Sequence, residues 1–231
     1  MDLNLESQLT SSYAELAWVS RIDPQRALLR GRFYLAAKRL MDITLVLLAM
    51  PLLLPLMGLI ALLIQLDSPG APVVFTQMRT GKGGMPFKMY KFRTMVANAE
   101  EMKKELMHLN ELQWPDFKIT NDPRITRVGK FLRKTSMDEF PQFFNVLKGE
   151  MSLVGPRPTS FSAKTYKLWQ TERLDVQPGL TGLWQIVGRA STEFDERLRM
   201  DIAYITHRCL WLDIQILVRT YAAVLTQRGA H

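Results

Sequence analysis

The chain is poor in the residues that build disulfide frameworks and zinc sites. Its 231 residues include one cysteine, Cys209, and three histidines, His108, His207 and His231. One cysteine excludes both an intramolecular disulfide framework and a cysteine-cluster metal site. Three histidines so far apart argue against a histidine-based zinc site. The sequence also contains no internal repeat and no low-complexity stretch.

Negative charge is in short supply as well. The chain has 30 Lys and Arg against 22 Asp and Glu, a formal net charge of +8, with 47% hydrophobic and 23% charged residues. This composition is ordinary for a globular protein and excludes wholesale disorder. The positive charge indicates an anionic partner, which could be nucleic acid, phospholipid or a phosphorylated substrate. Because the sequence lacks a DNA-reading helix motif and interleaved aromatic and basic residues, we expect no nucleic-acid partner.

Between Asp42 and Asp67 the chain lacks charge altogether. Every residue from Ile43 to Leu66 is uncharged, and nearly all are apolar. A continuous helix of that length would rise roughly 36 Å, enough to cross a bilayer core of about 30 Å. The run begins too deep in the chain, and lacks the small-residue cleavage site, to resemble a cleaved signal peptide. Length alone therefore predicts a helix that crosses the membrane once.

Two features favour a different path for this apolar run. Pro51 and Pro55 lie inside it, and each proline removes a backbone hydrogen bond and bends a helix. Both flanks are basic, whereas a helix that crosses the bilayer carries its excess of cations on one side. The flanking cations are Arg21, Arg26, Arg30, Arg32, Lys38 and Arg39 before the run and Arg79, Lys82, Lys88, Lys91 and Arg93 after it. We therefore predict a re-entrant membrane helix that bends at its prolines, with both ends on the cytoplasmic face of an anionic phospholipid bilayer.

The remaining patterns predict a helix-rich α/β fold with a small β-hairpin or sheet. Residues 21–40 mix leucines and a phenylalanine with cations, which is typical of a basic interface helix lying over anionic headgroups. Strands are predicted near 73–76 and 87–92, joined by a glycine turn at 81–84 that lacks the spacing of a phosphate-binding loop. Further helices are predicted over 96–112, 126–134, 139–148 and 192–226, and non-helical turns over 121–124, 155–158 and 177–182.

The segment around Asp138 is the richest in candidate chemistry. Ser136 followed three residues later by Glu139 matches a capping box, with Pro141 near the first turn of a helix. Capping does not account for Asp138, whose carboxylate would be kept ionised by the helix dipole and by the cations just before it. An ionised aspartate in an anion-attracting pocket can act as a nucleophile toward a phosphoryl group, and Glu139 could share Mg²⁺ with substrate phosphates. On residue chemistry alone, capping and catalysis both stay open.

Five arginines lie in or beside loops rich in glycine and proline rather than on helix faces. The arginine guanidinium can donate two parallel hydrogen bonds to the oxygens of a phosphate. Each such arginine alone could be simple surface charge, but five together indicate a polyphosphate ligand. The five are Arg93, Arg124, Arg133, Arg157 and Arg189.

These segments resemble the bacterial sugar transferase family, the monotopic polyprenyl-phosphate phosphoglycosyl transferases of the type that initiates exopolysaccharide or O-antigen assembly. The similarity covers most of residues 38–220 in order, and the block around Asp138 is its most specific part. The matching segments are KRLMD (38–42), VVFTQMRTGKGGMPFKMYKFRTM (73–95), DPRITRVGKFLRKTSMDEFPQFFNVLKGEMSLVGPRP (122–158) and QPGLTGLWQIVGR (177–189), followed by the spaced Asp201, Tyr204, Asp213 and Ile216.

The resemblance implies transfer of a sugar 1-phosphate from a UDP-sugar to polyprenyl (undecaprenyl) phosphate, at the cytoplasmic face of the bacterial inner membrane. By match, Asp138 would attack the β-phosphate, release UMP and carry the sugar phosphate until polyprenyl phosphate removes it. Asp138 and Glu139 would together hold Mg²⁺. The phosphate-binding residues would be Lys91, Arg93, Arg124, Arg133, Arg157 and Arg189.

The resemblance also bears on the membrane helix. In some members of the family this helix is re-entrant and broken at a Ser-Pro pair. Pro55 takes the place of that proline, Leu54 stands where the serine would be, and Pro51 is an addition. The break is therefore expected at Pro55, without a serine hydroxyl to satisfy a freed carbonyl.

The sequence divides into a loose N-terminal arm at 1–20, the interface and re-entrant helices at 21–66, and a cytoplasmic catalytic domain at 67–231. The helices within 192–226 could pack in one chain or across a homodimer, and the transferred sugar, glucose or galactose or another, is left open. The alternative function is a membrane-anchored basic scaffold that binds anionic lipid or a partner protein without catalysis. A scaffold explains the charge and the apolar run, but it gives no reason for the acidic pair to coexist with the loop arginines.

Overall fold

The computed structural model is built around one long apolar helix with a helix-rich globular part packed along it. The structure describes residues 17–111, 119–161, 163–187 and 194–225. Residues 17–20, which belong to the predicted N-terminal arm, form a helical turn, and Val19 is buried in the main core. Residues 1–16 lie outside the described part of the chain.

Helix α1 spans Gly31–Asp67. The predicted interface helix at 21–40 is wrong in its first half, because Pro24 starts a short 3₁₀ turn capped by Asp23 and Gly31 then takes a positive φ of 52°. Such a φ is costly for other residues and marks the point where the chain enters the helix. Helix α1 continues through Pro51 and Pro55, so the predicted break at Pro55 is not confirmed.

Helix α1 buries one stripe and exposes the rest of its apolar surface. Its length and composition make it a candidate to cross a membrane. The leucines that it exposes are Leu35, Leu40, Leu45, Leu47, Leu48, Leu52, Leu54, Leu59, Leu62, Leu63 and Leu66. The buried stripe meets two clusters: Val46 and Met50 pack in the main core with Val146, whereas Ile60 and Ile64 pack in a second core. Both halves of the helix therefore contact the same globular part.

Buried polar contacts fix the start of α1 to the globular part. Arg39 donates from both terminal nitrogens to the carbonyls of Val146 and Leu147. Asp42 accepts from the Ser152 hydroxyl at 2.7 Å and from the Leu153 amide at 3.2 Å. The residues of the KRLMD segment are thus used to brace elements that lie more than a hundred positions later in the chain.

Strands β1 (Val74–Thr80) and β2 (Pro86–Phe92) form the predicted antiparallel hairpin, in a register that pairs Val74 with Phe92 and Thr80 with Pro86. The turn between them has Gly83 at a φ of 64°, so the prediction of a glycine turn is confirmed. Both strands are longer than predicted, and the extension of β1 carries Arg79 into the sheet.

The middle of the chain contains three short helices. They are α2 (Ala99–Glu105), α3 (Arg127–Thr135) and α4 (Gln142–Lys148), with a 3₁₀ turn at Met137–Glu139 between the last two. Helix α3 begins where the Thr126 hydroxyl accepts from the Gly129 amide at 3.0 Å. Helices at 126–134 and 139–148 are confirmed with small shifts of their ends. The helix predicted at 96–112 is shorter: α2 ends at Glu105, Met107–Leu109 form a 3₁₀ turn, and only residue 112 of the predicted range lies outside the described residues.

A short parallel pair replaces one predicted turn. Strand β3 (Ser152–Val154) pairs with β4 (Gly179–Thr181), so the segment at 177–182 is partly a strand rather than a turn. The two backbones come so close that a Cβ on Gly179 would lie 2.1 Å from the Gly155 nitrogen, which only glycine permits. Helices α5 (Leu183–Val187), α6 (Phe194–His207) and α7 (Leu210–Leu225) complete the fold.

Candidate active site

The functional candidates meet at one large cavity. Its volume is about 1180 Å³. The hairpin forms one wall, the turn between α3 and α4 forms the floor, and residues of β4, α5 and α7 close the far side. Ligand sites of proteins occupy clefts of about 300–1,000 Å³. The cavity is therefore large enough for a nucleotide-sized ligand.

The acidic pair reaches the cavity through a reversal of the chain after α3. Ser136 ends α3 with a φ of 58°, in the left-handed region, at a cost of about 1–2 kcal/mol for a residue with a side chain. The 3₁₀ turn that follows places Asp138 and Glu139 among the cavity-lining residues. The predicted capping box is wrong, because the Ser136 side chain caps nothing and the Glu139 side chain points to cations instead.

Two cations from distant segments hold Glu139. Lys91 of β2 lies 2.9 Å from its Oε1, and Arg157, just after β3, contacts both of its carboxylate oxygens. Burial works against ionisation of Glu139, but Arg157 and Lys91 outweigh it and hold the pKa of Glu139 far below its usual range. Glu139 is therefore ionised at neutral pH, and it holds the side chains of Lys91 and Arg157 in place.

Asp138 has a different environment, although it directly precedes Glu139 in the chain. Its side chain is 13% exposed, and its nearest cation is Lys91, whose Nζ lies 3.9 Å from Oδ2. Burial raises the pKa of Asp138 above its usual value, and Lys91 opposes this only in part. The expectation that cations and a helix dipole keep Asp138 ionised therefore has the wrong sign for the pKa, because the regular helix starts only after the turn and Glu139 takes the cations. Neighbouring carboxylates with divergent pKa values are typical of sites where the two have different roles.

Arg79 is a cavity residue that the sequence reasoning missed. It donates to Gln77 at 2.7 Å and lies close enough to Arg157 and Glu139 to feel both charges. Burial, followed by the repulsion of Arg157, lowers its pKa to about 10. The signal that could have found it is the length of the strand: β1 runs on to Thr80, and Gln77 and Arg79 in this extension both line the cavity.

Two more predicted arginines line the cavity nearer the end of α1. Arg93 is 8% exposed and donates to the carbonyl of Ser68, the C-cap residue that directly follows α1. Arg133 donates from Nε to the Thr94 hydroxyl at 2.9 Å, and burial lowers its pKa. Lys91, Arg93, Arg133 and Arg157 thus all line the cavity that contains the acidic pair, and their role in phosphate binding stays a prediction.

Of the other two predicted arginines, only Arg124 lies in the described part of the chain, and the structure does not bring it to the cavity. Arg124 is sealed in an ion pair with Asp122, whose Oδ2 lies 2.7 Å from Nη2, and it is absent from the cavity lining. Arg189 lies outside the described residues. The far wall of the cavity is instead aromatic and polar, with Trp184 braced by the guanidinium of Arg197 at 5.5 Å.

The donors available for a metal ion are few. The described ranges contain no group of three or more His, Cys, Asp and Glu side chains that could hold an ion. Asp138 and Glu139 are adjacent carboxylates at the cavity, and Mg²⁺ often takes only one or two carboxylates, completing its octahedron with water and substrate phosphates. The pair therefore fits Mg²⁺ as an ion that a diphosphate substrate would help to hold.

Fold and site together define an enzyme-like cavity of buried cations around an acidic pair, carried beside a long apolar helix. The family model for bacterial sugar transferases matches residues 33–227, and the chain belongs to this family. The predicted family is confirmed.

Similar proteins include three with related printed activities. The galactosyl transferase CpsE of Streptococcus agalactiae is 45% identical over 201 residues, covering 85% of this chain and 44% of that protein. The undecaprenyl-phosphate galactose phosphotransferase of Salmonella typhimurium is 44% identical over 199 residues, covering 84% and 41%. The UDP-glucose:undecaprenyl-phosphate glucose-1-phosphate transferase of Xanthomonas campestris is 42% identical over 211 residues, covering 87% and 41%. The chain spans less than half the length of these three relatives.

Proposed function

We propose that this chain transfers a sugar 1-phosphate from a UDP-sugar to undecaprenyl phosphate, as the first membrane step of polysaccharide assembly. The observation that carries the proposal is the acidic pair at the cavity. Glu139 is held by Arg157 and Lys91, whereas the cation nearest to Asp138, Lys91, lies 3.9 Å away, beyond hydrogen-bond distance. The names of the similar proteins supply the substrate classes. A scaffold would need neither two neighbouring carboxylates in different charge environments nor a cavity large enough for a nucleotide.

In the first step, a carboxylate oxygen of Asp138 attacks the β-phosphorus of the UDP-sugar. The bond from this phosphorus to the bridging oxygen breaks, and UMP leaves with the electron pair. The sugar phosphate remains on Asp138 as an acyl phosphate. A carboxylate that is buried and only weakly paired suits this role, because burial excludes much of the water that would solvate and weaken the nucleophile.

In the second step, a phosphate oxygen of undecaprenyl phosphate attacks the same phosphorus. The bond to Asp138 breaks, the carboxylate is regenerated, and the sugar is left on a lipid diphosphate. Splitting the transfer lets the nucleotide leave before the bulky lipid approaches.

The cations around the pair bind and orient the phosphates. Arg157 and Lys91 are held in place by Glu139, and Arg79 faces the same region, so the site presents more positive than negative charge to an entering diphosphate. Arginines that are fixed before the ligand arrives stabilise the charge that develops on the leaving phosphate without reorganising. Mg²⁺ bound at Asp138 and Glu139 would add neutralisation of the diphosphate charge.

We also propose that α1 is re-entrant and enters and leaves the bilayer on the cytoplasmic face. Support comes from the contacts of its two halves: Val46 and Met50 pack on one core of the globular part, and Ile60 and Ile64 pack on the other. If the helix crossed the bilayer, its second half would lie away from a globular part that packs against its first half. Pro51 and Pro55 supply the positions at which helical hydrogen bonds are missing.

Covalent trapping tests the reaction. Membranes holding the chain are incubated with UDP-sugars labelled in the sugar, with glucose and galactose in parallel, and the protein is then denatured. We expect label retained on the protein, UMP released in equal amount, and both lost in Asp138→Asn. The matched control is Asp175→Asn, an exposed aspartate, which should behave as wild type. Absence of both label and Mg²⁺-dependent UMP release from every UDP-sugar tried would instead favour the scaffold.

Cysteine labelling tests the path of α1. Gln25 and Lys82 are exposed on either side of the apolar run, and each can be replaced by cysteine after the buried Cys209 is changed to alanine. A membrane-impermeant thiol reagent should label both positions only after the cytoplasmic side is opened. Labelling from opposite sides would contradict the re-entrant path while leaving the chemistry intact.

A further inference from the structure

The backbone of Arg157 is anchored from behind the cavity. Arg173 lies in a 3₁₀ segment, Leu168–Asp175, and its Nη2 donates to the carbonyl oxygen of Arg157 at 2.6 Å. The flanking carbonyls of Pro156 and Thr159 accept amide hydrogen bonds from Gly179 at 2.8 Å and from Thr80 at 3.0 Å. The loop is thus tied down at three points, and the middle one depends on a charged side chain.

Asp201 holds Arg173 in turn. It lies on α6, and its Oδ2 is 2.7 Å from Nη2 of Arg173, the same nitrogen that donates to Arg157. Asp201 is 2% exposed and Arg173 is 6% exposed. Neither residue lines the cavity, so neither can touch a substrate there.

Burying the ion pair of Asp201 and Arg173 costs free energy, so its presence needs an explanation. Taking two opposite charges out of water is expensive, and apolar residues of similar volume often stabilise a fold as well or better. What an apolar pair could not do is donate a hydrogen bond to the Arg157 carbonyl. The geometry places the Asp201 carboxylate 2.7 Å from that donor nitrogen, as an ion-pair contact in which Oδ2 accepts no hydrogen bond from the described residues.

We propose that Asp201 and Arg173 are positioning residues for Arg157, and this rests on the role of Arg157 in the proposed function. The chain of contacts runs from Asp201 to Arg173, to the backbone of Arg157, and through its guanidinium to Glu139. A shift of about 1 Å in a group that orients a substrate can cost on the order of 10²-fold in rate. The pair therefore acts on phosphate binding from a position that the ligand never reaches.

A double-mutant cycle on nucleotide affinity tests this. The full chain is purified in lipid nanodiscs, and UDP is titrated with Mg²⁺ present for wild type, Asp201→Asn, Arg157→Gln and the double variant. We expect Asp201→Asn to weaken UDP binding about tenfold, and to have no further effect once Arg157 is glutamine, because the two changes then act through one contact. Glu172→Gln, an exposed neighbour of Arg173, is the charge-removal control and should bind UDP as wild type.

Three outcomes contradict the positioning role in distinguishable ways. Unchanged affinity in Asp201→Asn shows that the pair does not act on the site. An equal loss in both backgrounds shows a general effect on the fold. Unchanged affinity in Arg157→Gln overturns the role of Arg157 itself, and with it the proposed phosphate site. If Asp201→Asn does not fold, Arg173→Lys serves: its charge still pairs with Asp201, but its single amine cannot keep the guanidinium geometry, so UDP binding should still weaken several-fold at a near-normal melting temperature.

Discussion

Two regions of this molecule each contain an ion pair between an arginine and a carboxylate, but only one of the two pairs is open to a ligand. At the cavity, Arg157 pairs with Glu139, and their side chains are 32% and 16% exposed. In the loop just before α3, Arg124 pairs with Asp122, and their side chains are 4% and 5% exposed. Both arginines follow a proline in a loop, and the sequence predicted phosphate binding for both. Only the first pair leaves its arginine open to a ligand.

The difference lies in where the partners come from. Asp122 is two residues before Arg124 and accepts from its backbone amide and from two guanidinium nitrogens, at 3.0, 2.9 and 2.7 Å. This closed local turn lowers the pKa of Asp122, chiefly through the hydrogen bonds from Arg124, and it leaves little for a ligand. Glu139 and Arg157 come from different segments, and Glu139 also pairs with Lys91, so their pair lies at a junction of several elements beside the cavity. A local pair shapes a loop, whereas a long-range pair with an open side can form a site.

The largest expected effect is on chemistry at the cavity. Asp138→Asn should reduce UMP release on the order of 10³-fold or more, because the amide is no nucleophile. Asp122→Asn, at the sealed pair, should lower the melting temperature while UMP release per folded molecule stays within a few-fold of wild type. Release of UMP by Asp138→Asn at near the wild-type rate would remove Asp138 from its role.

The second effect separates the two arginines directly. Arg157→Gln should lower kcat/KM for the UDP-sugar about 100-fold with little change in melting temperature, because a preorganised donor is lost from a partly exposed site. Arg124→Gln should leave Asp122 buried without its partner, which costs about 3 kcal/mol and about 10 °C in melting temperature. Steady-state kinetics and thermal melts of both variants check this. If Arg124→Gln impairs kcat/KM as Arg157→Gln does at equal stability, the contrast between the two regions is wrong.

The smallest effect is a shift in pH dependence. Activity requires ionised Asp138, so it should fall as pH drops through the raised pKa of that carboxyl. Lys91 lowers that pKa, and Lys91→Met should therefore move the acidic limb of kcat/KM to higher pH. Profiles of UMP release measure the midpoint, and Lys104→Met, an exposed lysine on α2, is the control. A midpoint that stays or moves to lower pH would contradict the pairing of Lys91 with Asp138.

Local patterns predicted local structure well. The hairpin β1–β2 follows from apolar strands around a glycine turn, and helices α3 and α4 follow from spacing and a proline at the right place. The parallel pair β3–β4 was missed because strands of three residues show too little alternation to be recognised, and the paired residues, such as Ser152 and Gly179, are 27 positions apart. Arg79 was missed for a related reason: the predicted strand ended at Thr76, which put the arginine in a loop.

The candidate site shows the same division. The acidic pair and its chemistry were predicted from residue types and from family resemblance, and both side chains line the cavity. The capping box at Ser136 was a sound local prediction that long-range charge overrode, since Lys91 and Arg157 compete for Glu139 and win. The sign of the Asp138 pKa shift depends on how deeply the turn is buried, which spacing cannot report.

The sequence by itself determined the family, the apolar run, the acidic pair and the excess of cations, because each is a matter of residue type and order. Only the tertiary structure decided which cations meet which carboxylate. Arg157 reaches Glu139 across 18 positions and Lys91 reaches it across 48, whereas Arg124 closes on a neighbour two positions away. Charge interactions depend on distance and on exclusion of water, and both are set when α1, the hairpin and the β3–β4 pair pack together.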